Sequence, residues 1–155
     1  MKRRIGVFAA LAVVLAAGSV LLAQGNPFVG TWKLNLASSK YNPGPPPQSQ
    51  TRSWDASGMV MVNGIGATGK PFSYGYSIKG DGKDYPTTGA IPNKADMIST
   101  KKIDANTYEA KFTKAGKQVE STTFTVSNGG KTLTIHAMGS ADAGFVENVQ
   151  VLDKQ

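Results

Sequence analysis

Few side chains in this 155-residue sequence are suited to covalent chemistry. There is no Cys and a single His, His136, which excludes thiol nucleophiles, disulfides, thiolate metal sites, lipid-modified cysteine anchors and multi-histidine metal sites. A hydrolytic triad built without a second imidazole or a thiol would need a Ser–Lys arrangement, and no motif announces one. The carboxylates Asp81, Asp84, Glu120 and Glu147 fall in different segments, so spacing alone pairs none of them. Gly64-Ile65-Gly66-Ala67-Thr68-Gly69 has the glycine content of a phosphate loop. It lacks the Gly-Lys-Ser/Thr ending and the strand-to-helix setting that phosphate binding requires. Asp81-Gly82-Lys83-Asp84 lacks the ligand density of a calcium loop. The expectation is a protein that is not an enzyme and that uses neither a metal nor a cofactor.

Binding chemistry is better supplied. Arg52 is the only arginine after residue 4 and shares strand parity with Gln50 and Trp54. On an inward face it can stack on Trp32 or Trp54, or grip a ligand carboxylate with two hydrogen bonds. A buried guanidinium needs a partner, and parity offers Glu120 or Glu147. On an outward face Arg52 is simply solvated, and the sequence leaves the three readings open. Large apolar side chains at alternating positions supply the rest of a candidate interior: Trp32, Trp54, Met61, Phe72, Tyr74, Tyr76, Tyr108, Phe112 and Phe124. The same residues would equally make an ordinary core.

The first segment stands apart from these. Lys2, Arg3 and Arg4 precede an unbroken apolar and small-residue stretch, 5–23, that ends in Leu21-Leu22-Ala23 before polar Gln24. This is the pattern of a secretory signal peptide cleaved near Ala23, leaving one domain, 24–155, in the periplasm or beyond. The alternative is an uncleaved anchor, since 19 residues fall within the ~17–25 that span a bilayer. After cleavage no stable membrane insertion is expected. The remainder carries 14 Lys and Arg against 10 Asp and Glu, a net +4 in place of +7. Thirteen of those cations are dispersed lysines, and only Lys101 and Lys102 adjoin. A nucleic-acid surface would cluster them among stacking aromatics, so no nucleic-acid partner is expected.

Residues 24–155 alternate with the period of strands. Phe28, Gly30, Trp32, Leu34 and Leu36 share one face, and 49–55, 59–63 and 72–78 alternate after them. A meander follows over 97–103, 107–113, 117–126, 131–138 and 145–152, with Asn128-Gly129-Gly130 as its strongest hairpin signal. The stretch 38–47, proline-rich from Pro43, and the stretch 80–92 read as irregular connections. No segment sustains a helical period. The expected fold is all-β, an antiparallel up-and-down barrel of eight to nine strands whose first and last strands pair, with a two-sheet sandwich as the alternative.

Phe28-Val29-Gly30-Thr31-Trp32-Lys33-Leu34 resembles the Gly-x-Trp first strand of the calycins, the lipocalins and fatty-acid-binding proteins. With Ser39-Lys40, Pro43-Gly44-Pro45-Pro46-Pro47, Ser49-Gln50-Thr51, Asp81-Gly82-Lys83-Asp84-Tyr85-Pro86, Gly89 and Gly130-Lys131-Thr132-Leu133-Thr134, nearly the whole mature chain is similar to a family of small exported bacterial lipocalin-like proteins. The resemblance implies that Trp32 plugs one end of a barrel, with Gly30 leaving room for another side chain to cross. In lipocalins that side chain is an Arg near the last strand; here only Lys154 is near. The carboxylate-anchoring Arg and Tyr of the fatty-acid-binding group have no counterpart in Val149-Gln150-Val151-Leu152, and the group's two-helix lid is missing. Avidins also begin Gly-Thr-Trp, but their biotin-contacting run is not reproduced by Lys33-Leu34-Asn35.

Two functions follow as expectations. Either the barrel interior takes a small hydrophobic molecule, or the barrel is filled by side chains and acts in the envelope through loops 43–47 and 56–66.

Overall fold

The computed structural model describes residues 25–127 and 129–155. The expected export segment, 1–23, and Asn128 of the hairpin turn lie outside the described residues. The chain forms twelve strands of one antiparallel sheet. They are β1 (Gly30–Leu34), β2 (Lys40–Asn42), β3 (Ser49–Trp54), β4 (Met59–Ile65), β5 (Pro71–Ser77), β6 (Asp81–Pro86), β7 (Thr88–Gly89), β8 (Met97–Asp104), β9 (Thr107–Lys114), β10 (Lys117–Val126), β11 (Thr132–Gly139) and β12 (Glu147–Lys154). Eleven follow one path, β6-β8-β9-β10-β11-β12-β1-β3-β4-β5-β7, and β2 pairs separately with β12.

The sheet curls into a nearly closed barrel, and the sandwich alternative does not hold. First and last strands pair as expected, Trp32 opposite Lys154 and Leu34 opposite Leu152. The strand count exceeds the expected eight to nine because two stretches read as loops contain pairing backbone. Lys40–Asn42 pairs with 147–149 of β12, and 81–89 splits its pairing between two neighbours. β6 bonds to β8 and β7 to β5, so this one segment bridges the two free edges of the sheet. At the seam the buried Thr100 hydroxyl accepts from the Lys79 and Gly80 amides, at 3.1 and 2.8 Å. The Thr87 amide donates to the Asp96 carbonyl at 2.9 Å.

Alternation sorts the side chains. Gln50, Arg52 and Trp54 face inward on β3, Val60 and Val62 on β4, and Tyr108, Ala110 and Phe112 on β9. This corrects the expectation for Met61, which is 37% exposed: a period of two puts it opposite to Val60 and Val62, out on the barrel's surface. Leu36 is likewise exposed, because the chain leaves β1 for a 3-10 turn, Leu36–Ser38. On β12 the buried position is Leu152, while Val149 and Val151, of the opposite parity, are half-buried.

One end of the barrel is sealed. Phe28 and Trp32 are wholly buried there with Trp54, Tyr108, Val126 and Leu133. Phe28 lies 4.6 Å from the Trp54 ring and packs edge-on against Tyr108 at 5.0 Å. The Trp32 indole Nε1 donates to the Phe28 carbonyl at 2.8 Å. Gly30 has a positive φ of 138°, and a β-carbon there would meet Lys154 Cε at 3.0 Å. The lysine chain crosses over that gap and sets its Nζ 5.0 Å from the Trp32 ring, bonded to the Pro27 carbonyl at 3.2 Å. Room at Gly30 and a cation on Trp32 are both present, with Lys154 as the cation.

Candidate functional site

The other end is open. A chamber of about 460 Å³ runs from the barrel's middle to a mouth edged by Pro43, Pro45, Pro47, Ala67, Pro92 and Lys94. The wall is incomplete beside β2, which bonds to β12 but not to β3. Past the end of β1 the gap is spanned by side chains instead: Gln50 Nε2 donates to Gln150 Oε1 at 3.0 Å. Gly64 helps shape this region, because a β-carbon there would stand 2.6 Å from Phe72 Cζ and 2.2 Å from the Ser49 carbonyl oxygen. The glycine thus lets the Phe72 ring lie flat along the wall.

Arg52 is 2% exposed and lines the chamber, which settles the open question of its face. It stacks on neither tryptophan. Its guanidinium carbon stands 5.7 Å from the Tyr76 ring centre and its Nη1 donates to the Tyr76 hydroxyl. Its Nε–H has no acceptor. Among the described residues no carboxylate comes within ion-pairing distance of it, the two ion pairs being Lys117–Asp142 and His136–Glu147. Glu147 is therefore excluded as its partner: it lies outside, bonded to the half-exposed His136 at 2.7 Å. Three tyrosines surround the charge. Burial pushes the Tyr41 hydroxyl up to about 12, and burial raises Tyr74 and Tyr76 as well, with the Arg52 charge opposing each shift. All three are neutral phenols at ordinary pH. The Tyr41 hydroxyl, buried in the wall, has no hydrogen-bond partner.

Glu120 reaches the same chamber on the inward parity that it shares with Thr122, Phe124 and Val126. A bulge in β10 between Gln118 and Glu120 breaks the register against β9, so that Val119 and Glu120 are both buried in succession. A bulge re-aims a side chain in this way. The Glu120 carboxylate accepts from Asn93 Nδ2 at 2.6 Å and from the Thr122 hydroxyl. Asn93 is itself held by the Ala95 amide at 3.0 Å. Burial raises the carboxyl's proton affinity, against the lowering effects of these hydrogen bonds and of the Arg52 charge.

The expected interior residues therefore divide into three groups. Arg52, Phe72, Tyr74, Tyr76, Phe112 and Phe124 line the chamber. Trp32, Trp54 and Tyr108 are buried in the sealed end and do not reach it, and Met61 is outside. Residues that the sequence did not mark as lining are Tyr41, Gln50, Asn93, Thr122 and Gln150. Parity could have flagged Gln50 and Thr122, whereas Tyr41 sits in a stretch read as a loop and Asn93 between the connection 80–92 and the next strand. Among the described residues no cluster of three metal-ligating side chains forms. The arrangement can enclose a molecule and hydrogen-bond to one end of it. Comparison of the chain with protein-family models and with curated proteins returns no match.

Proposed function

We propose that this protein is an exported, non-catalytic binding protein of lipocalin-like type that takes one small hydrophobic molecule into its barrel. The observation carrying this reading is the chamber of about 460 Å³, open at one end of a barrel whose other end is sealed by aromatic rings. Its volume falls in the ~300–1,000 Å³ range of small-molecule sites. Its wall combines Phe72, Phe112, Phe124, Ile91 and Ile135 with a few convergent polar groups, the usual division between affinity and orientation. Export rests on the basic, apolar and small-residue order of 1–23. Native mass spectrometry of the protein purified from its own periplasm, with displacement of a fluorescent fatty-acid probe, tests the proposal. A reproducible one-to-one small-molecule adduct and displaceable probe are expected. A clean unliganded mass together with no probe binding would overturn it in favour of an envelope module acting through its surface loops.

A further inference from the structure

We propose that the chamber's ligand is an amphiphile with a single carboxylate, its head held by Arg52 and Tyr41 and its apolar body directed to the mouth. This deepens the binding function proposed above and rests on it.

The argument begins from charge. Arg52 is permanently protonated, nearly fully buried, and has no carboxylate at ion-pairing distance among the described residues. A buried charge of this kind is costly unless an opposite charge and hydrogen bonds meet it. Here one of its N–H groups goes to Tyr76, while Nε–H is without an acceptor. The Tyr41 hydroxyl, on the same chamber and close enough to feel the Arg52 charge, is likewise unpartnered. One unpartnered N–H of a buried cation and one unpartnered hydroxyl, both on this chamber, leave a place for an oxyanion. A guanidinium offers a carboxylate two parallel hydrogen bonds, and a neutral phenol adds a third.

Glu120 does not fill this role, because its carboxylate, which accepts from Asn93 and Thr122, is not within ion-pairing distance of Arg52. It does limit the ligand's charge. One guanidinium compensates one negative charge, and the second charge of a phosphate monoester would be buried without a partner in the chamber that Glu120 shares. A carboxylate is the oxyanion that balances. The remaining wall fixes the rest of the molecule. The chamber's wall also includes Phe112, Phe72, Ile91 and the prolines 43, 45 and 47, which offer apolar contact. Lys94 on the rim adds a positive charge on the entry path.

The test compares decanoate, decan-1-ol and decyl phosphate on the purified protein stripped of bound lipid, by calorimetry or probe displacement. Decanoate is expected to bind at least tenfold more tightly than decan-1-ol and more tightly than decyl phosphate. Arg52→Gln should bring the acid down to the affinity of the alcohol. Tyr41→Phe removes only an unbonded hydroxyl, so it should fold normally and cut the acid's advantage several-fold while leaving the alcohol unchanged. It carries the test if the arginine variant unfolds. Equal affinity for acid and alcohol would overturn the carboxylate assignment and leave the binding chamber standing. Tightest binding of decyl phosphate would replace the carboxylate with a phosphate head. Failure of all three to bind would sink the binding function itself, and the assignment with it.

Discussion

Glu120 is the residue whose titration the fold should make visible. Its proton affinity is raised above the ordinary value of 4.5, chiefly by burial, so between that pH and the raised value the folded chain holds more proton than the unfolded one. Stability is then fully present below the unfolded value and falls as pH climbs through the folded one, with a slope of at most ~1.4 kcal/mol per pH unit. Glu120→Gln carries no proton and keeps an acceptor for Asn93, so its stability should lack this decline. Urea denaturation of both proteins from pH 4 to pH 8 measures the difference, and parallel profiles would refute it. Glu120 and Arg52 also show what a residue list conceals. The sequence named both as possible partners, yet the fold places them on one chamber and gives each different company.

At the scale of elements, the short Gly30–Leu34 strand does the sealing. Its glycine is the one position where the lysine of the last strand passes, and its tryptophan is the surface that the lysine reaches. Gly30→Ala would combine a backbone conformation unfavourable to side chains with a contact of 3.0 Å to Lys154 Cε. A loss of about 1–3 kcal/mol is expected from strain of this kind. Trp32→Ala, which empties a wholly buried site, should cost about 3–5 kcal/mol. Both are read from urea midpoints at constant slope, and a Gly30→Ala protein as stable as the parent would show that the crossing is dispensable. Most strands were legible in the sequence to within two or three residues, because half-buried strands write their burial as a period of two. β2, β6 and β7 were not: the three residues of β2 are too few to show a period, and Gly, Pro, Thr and Asp in β6 and β7 carry no alternation.

For the whole molecule, the weakest part of the ring is the seam. The chain from β6 to β7 holds β8 with its first part and β5 with its last, and no neighbour is paired along its full length on both sides. β9 and β10, by contrast, are bonded on both flanks. Local opening draws on such differences. Amides of 81–89 should therefore exchange with solvent faster than those of 107–126, and a ligand in the chamber should slow the interior strands more than the seam. Uniform protection around the ring would contradict this.

Composition and periodicity were enough for the all-β class and for the span of most strands, because each depends on residue types and near-neighbour spacing. One imidazole and no thiol exclude many sites wherever the chain goes. Closure of the ring, the bulge that buries Val119 beside Glu120 and the absence of an ion-pair partner for Arg52 depend on which distant strands meet and in what register. A shift of one residue in a strand exchanges its faces. The sequence left Arg52 between core, surface and anchor; the tertiary structure decided where it points and what it lacks.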